Sequence, residues 1–576
     1  MSLHDRRLFA AGLLLALTAG SVLRVLWLTA DPPTHATVGI VWHDEGAWVH
    51  NARNRVLWGT WRTDEWNPML VAPVFTGLEY IAFSIAGVGT WQARAVSVAA
   101  GLVSVLLVAI GLRACSSSRA AAIGGLLLAT NYVFVMWNRA ALMESTMAAF
   151  LVAGWAAYAA APRRPIIGLL AGAAAAAAWF TKASAAFFVA AILIDAGITI
   201  LLAFYPVVRM RLGVRAPDAD SVRAAYWTIA GVVIATASVA LLFLEHWSEY
   251  WFYNWQTSVA RKPEYSMRAL LDRASWIPIA HDFFTRMWLV TAAGSLSLLI
   301  LVARWRTAPP AHRLLVWWVL VGFLELVVHD SGNERRYVMF VPALVALAAL
   351  LLSSDGPSPF HLPELDRLTR LAMIPVLLAM TYVAVGAIAR LPFLYAIGPG
   401  VRLSAVVAAL AVLLIAWRWQ QTAAWLSRQR IPMFSVLVLV SIAVAGDLAQ
   451  YWQWGRHRTT KNYEASKAIG RVLANGTLVH GKLANGLSLE NSIKPVFVGR
   501  GFGNYADRKT RDDVRYILTY VVPRLGYEGP VILDVLEAYP QRIVLMTFDV
   551  AETNPNTDRA ALVDKFGGVK PERAHD

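Results

Sequence analysis

Two adjacent acids, Asp44 and Glu45, stand in the segment WHDEGAWVHNARN, residues 42–54. A carboxylate there could take the proton of a hydroxyl acceptor or ligate a metal ion. The plainer reading is that Asp44 caps a helix and Glu45 favours its dipole. A third acid, Glu144, lies in NRAALMES, where Arg139 is the neighbour that would neutralise it. Lys182, in WFTKAS, sits between apolar runs and either holds a phosphate as a point charge or snorkels toward water. HDSGNERRYVMF, residues 329–340, brings Arg335, Arg336 and Tyr337 together. An anionic lipid phosphate is one natural partner for those arginines, and Asp330 or Glu334 is the other.

The elements that must hold these residues are set by composition. Of 576 residues, 57% are hydrophobic and 15% charged, with mean hydropathy +0.50, whereas soluble domains carry nearer a quarter charged residues. Apolar runs of about 20 residues recur, each long enough to cross about 30 Å of hydrocarbon. The chain therefore reads as an integral membrane protein. Its net charge of +15 would suggest nucleic acid in a soluble protein, but most of the arginines flank apolar runs and report topology instead. The single cysteine, Cys115, excludes an intrachain disulfide. The first apolar run is full length for a span and lacks a small-residue cleavage site, so no cleavable leader is expected.

Spans are expected near residues 8–30, 91–112, 120–137, 143–160, 165–180, 183–204, 223–244, 286–303, 314–329, 337–353, 371–389, 401–417 and 432–450. One set of connecting loops holds Arg6, Arg7, Arg113, Arg119, Arg163, Arg164 and the clusters 209–223, 304–313 and 418–430. The other set's short loops hold few cations, among them Arg139, Lys182, Arg335, Arg336 and Arg390. The excess of positive charge places the first set in the cytoplasm. The odd number of spans then leaves the N-terminus inside and the C-terminus outside. Three polar regions face outward: residues 31–90, rich in Trp42, Trp48, Trp58, Trp61 and Trp66; residues 245–285; and the stretch from about Gly455 to Asp576. The tryptophans favour the headgroup layer and suggest interfacial helices. In the last region a helix (YEASKAIGRVLA) precedes the apolar runs TLVHG, VRYILTYV, PVILDVL and RIVLMTF, the pattern of a small α/β domain. Residues 1–454 thus form a membrane domain and 455–576 an extracytoplasmic α/β domain.

Other motifs carry less. GRGFGNYADRK, residues 499–509, is a lone glycine pattern in the outward domain, where no nucleotide is expected. Asn475-Gly-Thr477 is short enough to arise by chance. His43, His50 and His246 lack metal-ligand spacing.

The arrangement resembles the polyprenyl-phosphate-sugar glycosyltransferases of the GT-C superfamily, in the protein O-mannosyltransferase and lipid A aminoarabinose transferase branch (glycosyltransferase family 39-like). The resemblance rests on the acidic pair in WHDEGAWVHNARNRVLWGTW and on NPMLVAPVFTGLEYIAFSIAGVGTWQAR, with its proline turn, Gly-Val turn and Ala-Arg. NRAALMES is similar to the family's second acidic loop, with Glu144 where aspartate is usual; FTKAS is similar to its Thr-Lys motif and RRYVMFVPAL to its Arg-Tyr motif. It covers roughly the first 350 residues.

The resemblance implies a polytopic α-helical membrane fold of about 13 spans and transfer, with inversion, of a sugar from a polyprenyl-phosphate donor to a hydroxyl acceptor on a protein, lipid or glycan. It implies Asp44 as base, supported by Glu45 or Glu144, with Lys182, Arg335, Arg336, Tyr337 and Arg94 at the donor phosphate. A hexosyl- or pentosyltransferase of the bacterial cytoplasmic (inner) membrane fits this reading; membrane lipids are its surroundings and nucleic acid is not a partner. A divalent metal is left open, since the superfamily contains both metal-dependent and metal-independent branches. Two rivals remain: a lipid or sugar transporter, for which no internal repeat is visible, and a non-catalytic scaffold that binds lipid phosphate.

Overall fold

The computed structural model describes residues 3–33, 40–66, 68–251, 254, 270–271, 284, 286–329, 334–353, 418, 432–499, 504–522, 529–551 and 559–568. Helices fall on every expected span except 371–389 and 401–417, which lie outside the described residues together with Arg390, Asp330 and most of 245–285. Seven helices among the described residues are long and apolar enough to cross a membrane, up to eight if a bent pair counts as one span. This is a multi-pass membrane protein.

The helices are α1 (Leu3–Val25), α2 (Asp44–Trp58), α3 (Pro73–Ala86), α4 (Thr90–Cys115), α5 (Ser118–Thr130), α6 (Tyr132–Asn138), α7 (Met143–Ala160), α8 (Ile167–Thr181), α9 (Ala186–Phe204), α10 (Pro206–Leu212), α11 (Ala219–Leu242) and α12 (Trp247–Trp251). They continue with α13 (Trp288–Ala303), α14 (Pro310–His329), α15 (Val341–Leu352), α16 (Met433–Arg456), α17 (Lys461–Val472), α18 (Lys482–Gly486) and α19 (Gly529–Ala538). The expected span 120–137 is broken by a 61° bend between α5 and α6. Asn131 stands at the break, and its side chain accepts from Phe134 N at 3.0 Å. That bond supplies a partner to an amide that the interrupted helix leaves without one.

Buried polar groups tie the bundle together. Arg24, wholly buried, donates to Asn138 Oδ1 at 2.9 Å and to the Ala129 carbonyl at 2.8 Å. Away from water each such bond is costly to leave unmade.

The C-terminal part is a small sheet domain. Its strands β1 (Leu478–His480), β2 (Lys494–Val496), β3 (Tyr516–Tyr520), β4 (Ile543–Asp549) and β5 (Arg559–Asp564) take the order β2-β1-β3-β5-β4. β1 pairs parallel with β2 and β3, while β5 runs antiparallel to β3 and β4. Of the apolar runs, TLVHG, VRYILTYV and RIVLMTF hold strands β1, β3 and β4, and PVILDVL lies in helix α19. Ile532, Val535 and Leu536 recur at helical spacing and pack together against Ile517, Ala561 and Val563 of the sheet.

The tryptophan-rich segment also packs differently from expectation. Trp42 lies in the core of the sheet domain, and the Trp66 ring is 4.3 Å from that of Phe497. These two side chains bury against protein rather than headgroups. Arg53 of α2 donates to the carbonyls of Ser488, Asn491 and Ile493 at 3.1, 2.8 and 2.9 Å. Asp31 accepts from Thr459 Oγ1 and the amides of Lys461 and Asn462, so it caps α17 from across the chain. The sheet domain is thereby fixed to the segment that carries Asp44.

Candidate functional site

Asp44 is the first residue of α2, and the N-cap position belongs to His43, which makes no side-chain cap bond. The Asp44 carboxylate instead turns toward cations. Its Oδ2 accepts from Arg335 Nη1 at 2.7 Å, and its Oδ1 lies 2.8 Å from Lys482 Nζ. Arg335 also places Nε 3.2 Å from Glu144 Oε1, the oxygen that accepts from Lys182 Nζ at 2.5 Å. Lys482, Asp44, Arg335, Glu144 and Lys182 therefore form one string of alternating charge. Asp44, Glu144 and Lys182 are buried. Glu144 Oε2 has no hydrogen-bond partner among the described residues.

Distant elements supply the string. α2 and α7 begin at the acids, Lys182 sits in the break between α8 and α9, and Arg335 lies in the 3-10 turn Glu334–Phe340 ahead of α15. Charges in so dry a site interact far more strongly than in water. Burial alone would raise the Asp44 carboxyl, but Lys482, then Arg335, hold it below the usual carboxylate range.

Glu45 points elsewhere. Its carboxylate takes a forked pair of bonds from Arg94, Nε to Oε1 at 2.8 Å and Nη2 to Oε2 at 2.7 Å. It also accepts from Ala141 N at 2.8 Å. Arg94 Nη1 donates to the Leu28 and Ala30 carbonyls. The pair thus joins α2, α4 and the end of α1, apart from the alternating string. Arg139 does not neutralise Glu144: it donates to the carbonyls of Leu23, Arg24, Leu26 and Trp27, closing the end of α1. Arg336 Nη1 is 3.8 Å from Glu325 Oε1. The buried Tyr337 ring meets Phe284 edge-on at 5.6 Å. No group of three or more His, Cys, Asp or Glu among the described residues is arranged to hold a metal ion.

Lys482 was not among the sequence candidates. It opens α18 just beyond β1, after Gly481 at φ 112°, a conformation that favours glycine. Ligand-facing residues commonly follow the carboxyl ends of parallel strands, and GKLANG after TLVHG is that signal.

Residues 71–212 match the family model described as dolichyl-phosphate-mannose-protein mannosyltransferase, a stretch that holds Arg94, Glu144 and Lys182 but neither Asp44 nor Arg335. No curated protein matches the sequence. Among solved structures the chain is similar to ArnT from Cupriavidus metallidurans bound to undecaprenyl phosphate, with 18% identity, 99% of each chain covered and TM-score 0.56. It is similar to the same protein in the apo state, with 18% identity, 97% of this chain and 98% of that chain covered, and TM-score 0.56. The Archaeoglobus fulgidus oligosaccharyltransferase in the apo form gives 13% identity, 90% and 70% coverage and TM-score 0.47. The resemblance to the GT-C glycosyltransferases holds at the level of fold. It now reaches past the first 350 residues to the whole chain, sheet domain included.

Proposed function

We propose that this protein is a membrane glycosyltransferase that moves a hexosyl or pentosyl group from a polyprenyl-phosphate donor to a hydroxyl acceptor, with inversion. The observation that carries the reading is the buried string in which Arg335 joins Asp44 to Glu144 and Glu144 joins Lys182. The acceptor oxygen attacks the anomeric carbon and its proton passes to Asp44. The anomeric carbon–oxygen bond breaks with its electron pair going to the phosphate, and polyprenyl phosphate leaves. Lys182 and Arg335 stabilise the charge the leaving group gains, with Arg336 and Tyr337 alongside. A carboxylate held by two cations is a weak base. A phosphate competing for Arg335 loosens one of those contacts and returns Asp44 toward ordinary basicity. Glu45 and Arg94 act as a strut that positions α2.

In this reading residues 1–454 form the transferase domain and 455–576 the α/β domain, and the reaction lies on the outer face of a bacterial cytoplasmic membrane with the N-terminus inside. The solved ArnT complex with undecaprenyl phosphate supports a lipid phosphate as the donor's carrier. Acceptors of the protein, lipid and glycan classes all suit the chemistry. The test is release of polyprenyl phosphate from a panel of lipid-linked sugars by wild type and Asp44→Asn, with acceptor extract from the source membrane. Release by wild type alone supports the reading. Equal release by both removes Asp44 as base, and binding without release across the panel favours a scaffold.

A further inference from the structure

The most unexpected partner in the site comes from the sheet domain. Lys482 Nζ lies 2.8 Å from Asp44 Oδ1, and both side chains are largely shielded from water. The approach is built on both sides. A β-carbon at Gly46 would collide with the backbone carbonyl of Asn485, and one at Gly486 would collide with His43. Asn485 Nδ2 lies 3.1 Å from His50 Nδ1, a third contact between α18 and α2. The backbones of α2 and α18 are thus in van der Waals contact, and that contact sets where the ammonium falls.

We infer that Lys482 is a positioning residue of the transfer reaction, through which the C-terminal domain fixes the orientation and ionisation of Asp44. The inference rests on the glycosyltransferase reading above. Arg335 holds Oδ2 and Lys482 holds Oδ1, so the carboxylate plane is set from two parts of the chain. Surrender of Arg335 to a donor phosphate leaves Lys482 as the group that keeps Asp44 from turning. The ammonium also favours the ionised carboxylate, the form that takes a proton. The groups around Asp44 that bear on its titration are His43 beside it on the chain, Lys482 on α18 and Arg335 ahead of α15.

The experiment uses the full chain in lipid nanodiscs. Release of polyprenyl phosphate from the lipid-linked sugar fraction of the source membranes, with acceptor extract from the same membranes present, is followed against pH for wild type, Lys482→Gln and Lys482→Arg. In parallel, the infrared carboxyl band of Asp44, isolated by subtraction of Asp44→Asn, gives its protonation midpoint. For Lys482→Gln the expected result is at least a tenfold loss of kcat at pH 6, donor KM within threefold, and an acid limb and infrared midpoint raised by one pH unit or more. Lys482→Arg is expected to restore both. An unmoved midpoint in Lys482→Gln overturns the inference, even if activity falls. Lack of release by wild type overturns the glycosyltransferase reading instead, while the infrared midpoint still decides the role of Lys482. Should Lys482→Gln fail to fold, acylation of Lys482 decides: at least tenfold faster labelling in Asp44→Asn than in wild type supports the inference, and equal labelling overturns it.

Discussion

Arg94 closes a two-pronged grip on Glu45, with nitrogen–oxygen distances of 2.8 and 2.7 Å and both side chains out of water. The adjacent acids Asp44 and Glu45 thus have opposite fates: one faces the alternating string, and the other is spent on holding α2 against α4. Removal of one partner from a buried pair leaves the other charge uncompensated, at a cost of about 3–5 kcal/mol. Arg94→Ala is therefore expected to lower the melting temperature sharply in detergent, and Glu45→Leu/Arg94→Leu is expected to recover part of the loss. Equal instability of the single and double variants would count against an uncompensated charge as the cause.

Asp44→Asn keeps the shape of the side chain and an oxygen for Arg335 or Lys482, but it cannot take a proton from the acceptor. Loss of a general base removes a factor on the order of 10²–10⁴. Release of polyprenyl phosphate is expected to fall by that factor in a protein that still folds, with a lowered melting temperature because Arg335 and Lys482 lose their shared anion.

Glu144 lends one oxygen to both Lys182 and Arg335. Glu144→Gln removes the anion that holds two cations at close range, so both are expected to spread and donor KM to rise at least tenfold. Glu144→Asp keeps the anion on a shorter side chain and is expected to stay within tenfold of wild type. Donor titration of the release assay separates the two variants.

Much of this was legible in the sequence, and the failures have physical causes. Span positions follow from apolar run length, which the bilayer fixes; the site acids and cations follow from being ionisable among apolar neighbours. Partners were harder. Arg139 precedes Glu144 closely in sequence, yet its guanidinium closes the end of α1 while Glu144 pairs with Lys182 and Arg335. Helix capping by Asp44 was plausible locally but yields to cations brought by the tertiary fold. GKLANG after TLVHG marks Lys482 as following the carboxyl end of a strand, but its pairing with Asp44 depends on the tertiary contact of α18 with α2. A short apolar segment such as PVILDVL satisfies either period until its neighbours are known.

His480 gives the sheet domain a built-in acid sensitivity. Its ring is buried and neither ring nitrogen has a hydrogen-bond partner among the described residues. Burial, then Lys565 and Arg511, push its pKa down from 6.5 to about 3. Between those values the unfolded chain binds a proton that the folded chain does not, so stability falls as pH drops below 6.5 and the loss is complete below about 3. The full slope is about 1.4 kcal/mol per pH unit. His480→Leu is expected to flatten the fall in melting temperature between pH 6.5 and 4, and an unchanged slope would assign the acid sensitivity to other groups.

Gly46 offers a test of the α2–α18 contact without altering any charge. The Asn485 carbonyl occupies the place a β-carbon at position 46 would need, and that neighbour is backbone, so a side chain rotation cannot relieve the clash. Gly46→Ala must therefore displace α18 from α2 and draw Lys482 away from Asp44, while the Arg335 contact with Asp44 comes from a different direction and survives. Overpacking of this kind costs about 1–3 kcal/mol. The expected phenotype is a moderately lowered melting temperature together with an acid limb of release shifted up, as for Lys482→Gln, with donor KM little changed. Gly77, where a β-carbon meets nothing within 4 Å, supplies the control: Gly77→Ala should leave both the melting temperature and the pH profile near wild type. A Gly46→Ala protein that melts early but keeps the wild-type acid limb would separate domain docking from the ionisation of Asp44.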